Sequence, residues 1–162
     1  MLPRIYCDMD GVLCDFKKRA EQVTGKPISQ WMYANKTEKW DKIKNNGRFW
    51  YDLPWQPGGR ELWSFISRYN PHILSAHVEE THDPNCIPGK SHWARTNLGI
   101  APGRIHLVKR VQKQNYAKVV GQPAVLIDDY KKNTDQFTQR GGIGILHTST
   151  SNTIRQLKKL GF

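Results

Sequence analysis

Long apolar runs are absent from this chain. No eighteen consecutive residues are apolar, and the amino terminus lacks a basic segment followed by an apolar one. A membrane-spanning helix needs about 20 mostly apolar residues, and a secretory signal needs both of those segments. We therefore expect a soluble protein, neither exported nor anchored, with the cytoplasm as its compartment. Internal repeats and low-complexity linkers are also absent, so 162 residues predict one compact domain with a modest insertion.

Cysteine is scarce as well. The chain has three cysteines, an odd number, and two of them flank a pair of carboxylates near the amino terminus: they are Cys7, Cys14 and Cys86. This usage argues against a disulfide framework and favours a reducing compartment.

Acidic side chains are few relative to basic ones. The chain has 14 aspartates and glutamates against 25 lysines and arginines, which gives a formal net charge of +11. Such an excess attracts polyanions, and nucleic acid is the usual one. The basic residues are scattered, however, so we favour a solvated basic surface around a site that attracts phosphate. Nucleic acid remains an alternative partner.

Two carboxylates follow the first predicted strand. Asp8 and Asp10 come directly after an apolar segment and are followed by Gly11. Residues i and i+2 of a strand point to the same side, so both carboxylates converge just past the strand's carboxyl end, where open α/β sheets bind ligands. Like charges this close disfavour joint ionisation unless a cation or a shared proton intervenes. One carboxylate can then act as nucleophile or metal ligand while the other carries a proton.

Short apolar segments alternate with helical ones along the chain, which predicts an α/β fold. Helices are expected over residues 60–69, 114–120 and 151–160, the last capped by Ser151 or Asn152. The pattern favours a Rossmann-like, doubly wound parallel sheet covered on both faces. Its predicted strands are residues 4–7, 71–75, 104–108, 123–127 and 142–146.

A second pair of carboxylates, Asp128 and Asp129, follows the fourth of these strands. Neighbouring strands of such a sheet would bring Asp128 close to Asp8 and Asp10. Oxygen ligands gathered in this way suit a hard dication, Mg²⁺ above all. If the backbone stays extended, Asp129 points elsewhere, so Asp8, Asp10 and Asp128 are the predicted metal ligands.

The run Asp8-Met9-Asp10-Gly11-Val12-Leu13 resembles the first motif of the haloacid dehalogenase superfamily of aspartate-nucleophile phosphohydrolases. The resemblance implies that Asp8 attacks phosphorus to give an aspartyl-phosphate, with Mg²⁺ as cofactor. It implies that Asp10 first protonates the leaving alkoxide and later deprotonates water. Backbone N–H groups around Gly11 would stabilise the phosphoryl oxygens.

The resemblance also implies two further site elements. Ser75, at the end of the next predicted core strand, corresponds to a hydroxyl that hydrogen-bonds the phosphoryl group, and Ala76 is a neighbouring substrate contact. An active-site lysine is expected before the last motif strand. Lys109, Lys113 and Lys118 all precede that strand, and Lys113 is favoured because it stands at the head of the predicted helix.

Residues 17–58 predict a helical cap inserted after the first strand, with residues 1–16 and 59–162 as the catalytic core. An aromatic-rich cap can stack a nucleobase, and we predict Phe16 and Trp50 as substrate contacts. Alternatively, the rings form the cap's own small core and its contact with the main domain. The aromatic residues are Trp31, Tyr33, Trp40, Phe49, Trp50, Tyr51 and Trp55.

Within the superfamily, three runs resemble the 5'(3')-deoxyribonucleotidase family. They are Asp8 to Phe16, the run Phe49-Trp50-Tyr51-Asp52-Leu53-Pro54, and Leu126-Ile127-Asp128-Asp129-Tyr130. The chain departs from this family at the second motif, where Leu74-Ser75-Ala76 replaces Thr-Ser-Pro. The departure concerns sugar and base preference more than phosphatase activity.

A competing constellation consists of three histidines and a cysteine in a proline-containing segment: His77, His82, Cys86 and His92. Their softness suits zinc, but their spacing matches no common zinc finger. We expect instead that one or two of these histidines border the active-site mouth.

The leading functional prediction is a Mg²⁺-dependent phosphomonoester hydrolase acting on nucleoside (deoxy)monophosphates. One alternative is a phosphatase acting on polynucleotide ends, which the net charge favours and a closing cap disfavours. The other is a non-catalytic nucleic-acid-binding protein on an enzyme scaffold. The intact set of Asp8, Asp10 and Asp128 argues against the latter.

Overall fold

The computed structural model describes the backbone of residues 1–162 and every side chain except those of residues 36 and 37. Strands and helices alternate along most of the chain. In chain order the strands are β1 (Ile5–Cys7), β2 (His72–Ala76), β3 (Ile105–Val108), β4 (Lys118–Val119), β5 (Gln122–Pro123), β6 (Val125–Asp128) and β7 (Ile143–Leu146). The helices are α1 (Phe16–Thr24), α2 (Ile28–Met32), α3 (Lys36–Asn46), α4 (Gly59–Ile66), α5 (Cys86–Leu98), α6 (Lys131–Gln139) and α7 (Thr150–Lys159).

The main sheet has five parallel strands in the order β3-β2-β1-β6-β7, so the predicted α/β fold is confirmed. The first strand is central. Cys7 pairs with Ile73 of β2 on one side and with Ile127 of β6 on the other. The carboxyl ends of β1, β2 and β6 therefore meet at one edge, and the residues that follow them are brought together.

Successive residues of the central strands face opposite layers. Ile5 and Cys7 pack into the larger core, which α4, α5 and α7 help to enclose, whereas Tyr6 packs into a smaller core with Leu126 and Phe137 of α6. This alternation follows from the two-residue repeat of a strand. The three cysteines are buried and unpaired.

The predicted helix over residues 114–120 is wrong. Residues 110–116 form a short 3-10 segment, and the chain then makes the antiparallel hairpin of β4 and β5. Val120 and Gly121 form its two-residue turn with positive φ angles of 49° and 77°. Such turns match the twist of the flanking strands, and glycine supplies one of the two positive angles without strain.

The amino-terminal capping residue of α7 also differs from the predicted Ser151 or Asn152, since Ser149 accepts a hydrogen bond from the Asn152 amide.

Helices α1, α2 and α3 occupy most of the segment predicted as a cap, whose exact bounds stay a prediction. Their aromatic residues pack mainly on one another. Five rings form this cap aromatic cluster, with centroid separations of 4.8 to 6.4 Å: Phe16, Trp31, Trp40, Phe49 and Trp50. Among all the described helices, none has the length and apolar character needed to cross a bilayer.

Candidate active site

Asp8 lies directly beyond β1 and is the centre of the site. Its backbone amide continues the sheet by donating to the Ile127 carbonyl at 2.9 Å. Its carboxylate is buried, and Oδ1 accepts a 2.8 Å hydrogen bond from the Met9 amide. Lys113 Nζ lies 3.1 Å from the same oxygen. Sheet pairing, a backbone donor and a buried cation thus fix the orientation of Asp8.

Asp128 ends β6 beside Asp8 and is fully buried. Its Oδ2 accepts from Lys113 Nζ at 2.7 Å and from Asn133 Nδ2 at 3.1 Å, while Oδ1 accepts from the Tyr130 amide at 2.9 Å. Burial and the nearby Asp8 charge raise the pKa of Asp128 to about 7, although Lys113 opposes the shift. Lys113 therefore bridges the two carboxylates.

Of the three lysines considered from the sequence, Lys113 is the one that contacts the carboxylates. Burial lowers its pKa, but the attraction of Asp8 and Asp128 is stronger and leaves the pKa above its usual value. Lys113 is consequently a cation at neutral pH. Its catalytic role stays a prediction, while its position fits that role.

Asp129 departs from the expectation that it points elsewhere. Ligand oxygens of Asp8, Asp128 and Asp129 all lie within 4.8 Å of one another. The chain turns after Asp128 instead of staying extended, and the Asp129 carboxylate lies over Gly11. A Cβ at Gly11, whose φ is 80°, would overlap that carboxylate. Burial, followed by repulsion from Asp8 and Asp10, raises the pKa of Asp129 to about 6.

The side chain of Asp10 is not part of this cluster, in contrast to the predicted metal set of Asp8, Asp10 and Asp128. Its Oδ2 accepts a 2.7 Å hydrogen bond from Lys90 Nζ. Its Oδ1 is buried and has no hydrogen-bond partner among the described side chains. Burial raises the pKa of Asp10, with Lys90 opposing and Asp8 reinforcing the shift. Asp10 is thus suited to hold a proton.

Lys90 is the site residue that the sequence analysis missed. Its side chain is 1% exposed, and Nζ donates to Asp10 Oδ2, to Ser75 Oγ at 3.0 Å and to the Ala76 carbonyl at 2.7 Å. Burial lowers the pKa of Lys90, but the attraction of Asp10 outweighs it and the pKa is raised. A signal existed in the sequence, because Lys90 interrupts the buried stripe that Cys86, Trp93 and Ala94 form on α5.

A cavity of about 530 Å³ opens above these carboxylates. Of the predicted substrate contacts, Gly11, Phe16 and Ala76 line it. Ser75 is fully buried next to Lys90 and is not part of the described cavity wall. Its hydrogen bond to phosphate stays a prediction, and in the structure its hydroxyl accepts a hydrogen bond from Lys90 Nζ at 3.0 Å.

Trp50 is an interior residue, which contradicts its prediction as a substrate contact. It is 1% exposed, its Nε1 donates to Asp83 Oδ2 at 2.7 Å, and its ring stacks on Phe16 at 5.6 Å. The ring therefore belongs to the cap aromatic cluster. The position of Trp50 therefore agrees with the alternative that these rings form the cap's own core.

The histidine and cysteine constellation is dispersed. Cys86 Sγ accepts from the Val78 amide at 3.4 Å, and burial raises the pKa of its thiol to about 11. Within the described part of the chain, the three aspartates are the only group of this kind that could hold a metal. The histidine that lines the cavity is His147, and that one or two histidines of the constellation border the mouth stays a prediction.

No protein-family model matches this chain, and no curated protein matches it. Several solved structures are similar to it. A hydrolase from Streptococcus pneumoniae TIGR4 superposes with a TM-score of 0.59 at 14% identity, over 98% of this chain and 100% of that one. L-2-haloacid dehalogenase from Xanthobacter autotrophicus gives 0.51 at 13% identity, over 98% and 83%. A haloacid dehalogenase-superfamily hydrolase of subfamily IA from Geobacter sulfurreducens PCA gives 0.51 at 12% identity, over 96% of both. The chain thus has the haloacid dehalogenase-like α/β fold.

Proposed function

We propose that this chain is a haloacid dehalogenase-superfamily hydrolase that cleaves phosphomonoesters of nucleoside (deoxy)monophosphates, with Asp8 as nucleophile. The observation that carries the proposal is the different environment of the two aspartates after β1. Each carboxylate has a lysine beside it, Lys113 at 3.1 Å from Asp8 and Lys90 at 2.7 Å from Asp10. Asp8 Oδ1 also accepts from the Met9 amide, whereas Asp10 Oδ1 is buried without a partner among the described side chains and burial raises the pKa of Asp10. A carboxylate oriented by donors and a neighbouring carboxyl that can hold a proton fit a nucleophile and a general acid.

The reaction then has two displacements. In the first, an Asp8 carboxylate oxygen forms a bond to phosphorus while the bond to the leaving oxygen breaks, and Asp10 gives that oxygen its proton. In the second, Asp10 takes a proton from water, the water oxygen bonds to phosphorus, and the Asp8 carboxylate leaves. Lys90 stabilises the Asp10 carboxylate that exists between these two proton transfers, because its ammonium lies 2.7 Å away.

A divalent cation fits the carboxylate cluster. Asp8, Asp128 and Asp129 offer three oxygen ligands within 4.8 Å of one another, which is a donor set that hard cations such as Mg²⁺ prefer. When bound there, Mg²⁺ supplies positive charge to the phosphoryl oxygens. Lys113 contributes further positive charge beside Asp8.

A nucleotide substrate is supported by the resemblance of three runs to deoxyribonucleotidases and by the cavity. Its volume of about 530 Å³ falls in the range of small-molecule sites, roughly 300–1,000 Å³. Lys17 and Arg110 in its wall add positive charge for an anionic ligand.

A polynucleotide end is the second candidate, and one observation favours it. Among the described residues that line the cavity, none belongs to α2 or α3, so these helices do not cover it. An uncovered cavity in a chain of net charge +11 admits a longer phosphate-bearing polymer.

The test is a substrate panel in the presence of Mg²⁺. It comprises nucleoside and deoxynucleoside 5'- and 3'-monophosphates, 5'- and 3'-phosphorylated oligonucleotides, sugar phosphates and a 2-haloacid. The proposal requires release of phosphate from mononucleotides at a higher kcat/KM than from oligonucleotides. Asp8→Asn must abolish turnover, while Asp52→Asn, which changes an exposed aspartate paired with Arg48, must not. Hydrolysis of the haloacid alone would refute the proposal.

A further inference from the structure

Tyr130 presents an aromatic ring to the cavity that the described mechanism does not use. The residue is 49% exposed and belongs to the cavity wall. It follows directly after Asp128 and Asp129, and its amide donates to Asp128 Oδ1 at 2.9 Å. The backbone of Tyr130 is therefore fixed to the carboxylate cluster while its ring faces solvent.

Arg110 lies beside this ring and also lines the cavity. Its guanidinium carbon is 6.0 Å from the Tyr130 ring centroid, at the limit of cation–π contact. Nη1 donates to Asn133 Oδ1 at 2.9 Å and to Gln136 Oε1 at 3.1 Å. Asn133 in turn donates to Asp128 Oδ2. These bonds hold the guanidinium in place and connect it to the carboxylate cluster.

We propose that Tyr130 and Arg110 form the binding surface for the nucleobase of the substrate, a deepening that rests on the proposed function. Trp50 is not available for this task, since it is buried within the cap aromatic cluster. Phe16 of the same cluster lines the cavity, but its ring is partly buried and stacks on Trp50. The Tyr130 ring offers an exposed face on which a base can stack. Arg110 keeps donors other than Nη1–H for carbonyl or ring-nitrogen acceptors on the edge of a base.

The charged carboxylate and lysine groups together with the exposed Tyr130 ring favour a nucleotide over a sugar phosphate. A sugar phosphate without a base would use the carboxylate cluster and its lysines but would leave the Tyr130 ring uncovered. A nucleotide would use both, because Tyr130 lines the same cavity as Asp8 and Asp129. The two residues thus act on specificity and do not touch the reacting atoms.

The experiment compares kcat/KM for 2'-deoxyadenosine 5'-monophosphate with kcat/KM for 2-deoxyribose 5-phosphate. In Tyr130→Ala the ratio of the two should fall about 5- to 150-fold, the range that stacking on an aromatic ring supplies. Tyr130→Phe keeps the ring and should stay within about threefold of the wild-type ratio. Tyr33→Ala is the matched control, because Tyr33 is 89% exposed and does not line the cavity. Equilibrium binding of the same two compounds, measured by calorimetry in an Asp8→Asn background with and without Tyr130→Ala, repeats the comparison without turnover.

The outcomes separate the two proposals. A wild-type protein that releases phosphate from none of the mononucleotides of the substrate panel refutes the proposed function, and the binding comparison still decides the role of Tyr130. Unchanged ratios in Tyr130→Ala, in kinetics and binding, refute the nucleobase surface alone. A loss in Tyr130→Phe as large as in Tyr130→Ala would also overturn it, because the ring would then not be the feature that matters. A thermal melt shows whether Tyr130→Ala is folded, and the phenylalanine variant decides if it is not.

Discussion

Replacement of Lys90 by methionine tests whether this buried lysine supports Asp10. Methionine fills a similar volume but carries no charge and no donor. The change removes three hydrogen bonds, to Asp10 Oδ2, Ser75 Oγ and the Ala76 carbonyl. We expect the variant to fold with reduced stability and to lose activity, because Asp10 then lacks the cation that stabilises its carboxylate.

The size of the stability loss follows from these contacts. A buried acceptor left without its donor costs about 1–3 kcal/mol. The Asp10 side chain is 30% exposed and can take up a proton, so the full cost of breaking a buried ion pair does not apply. About 3 kcal/mol in total is a reasonable expectation, and for a domain of this size it lowers Tm by about 6–12 °C.

The loss should depend on pH. Without Lys90, the pKa of Asp10 in the folded protein lies further above its value in the unfolded chain, because burial and Asp8 both raise it. The folded state then binds more protons than the unfolded state between these two pKa values. Stability therefore falls as pH rises through this interval. The Tm difference between Lys90→Met and wild type should be smallest near pH 4 and should grow towards neutral pH.

Thermal melts at several pH values provide the assay, and Lys131→Met is the matched control. Lys131 forms an exposed pair with Asp135, which should contribute little to stability. Lys90→Met should also lower kcat by about 10²-fold or more, the lower range for loss of general acid–base catalysis. The reasoning would be refuted if Lys90→Met cost as much stability in an Asp10→Asn background as in wild type, because the two side chains would then not be coupled.

Three further predictions concern the metal, the first loop and the cap. Activity should be lost in excess chelator and return with Mg²⁺, and Asp129→Asn should raise the Mg²⁺ needed for half activity; unchanged activity in chelator would remove the metal from the mechanism. Gly11→Ala should lower stability and activity, because a Cβ there overlaps Asp129. The control Gly25→Ala has a φ of 70° but open space around it, and should cost only about 1–2 kcal/mol of backbone strain. Equal effects of the two variants on activity would contradict the overlap. Trp50→Ala should lower stability by about 3–5 kcal/mol, as deletion of a buried ring does. It should not change the ratio of kcat/KM for a nucleotide to kcat/KM for a sugar phosphate. A changed ratio with an unchanged Tm would show that Trp50 contacts the substrate.

The strands of the main sheet could be predicted because each is a short apolar segment whose composition leaves few alternatives. The position of Asp8 beside Asp128 then follows from topology, since parallel strands end at one edge. The helix expected over residues 114–120 failed for a local reason. The positive φ angle of Val120 is unusual for a β-branched residue. A valine at this position therefore does not predict the tight turn that Val120 forms with Gly121.

Some of the site residues could also be predicted from the sequence, and others could not. The motif residues are predictable from their places after the apolar strands and from the resemblance to the superfamily, but the exposure of an aromatic ring depends on how the cap helices pack. Trp50 and Tyr130 both have amphipathic rings, and only the tertiary structure separates the buried one from the exposed one. Lys90 belongs to none of the recognised motifs and stands between Cys86 and His92 of the competing constellation. A lysine on the buried stripe of a helix is costly unless it is paired, and this cost is itself a sign of an acidic partner in the site.

Two buried lysines divide three of the site's aspartates between them. Lys113 contacts Asp8 and Asp128, and Lys90 contacts Asp10. With Asp129 included, four carboxylates face these two ammonium groups, and the six side chains alone carry a net charge of −2 when fully ionised, before Asp15, Lys17 and Arg110 of the cavity wall are counted. A substrate phosphate is itself an anion, and it would be repelled by such a site. Under the proposed function a divalent cation would balance this excess, while Lys113 and Lys90 keep the environments of Asp8 and Asp10 electrostatically distinct. The proposed mechanism therefore uses both kinds of positive charge.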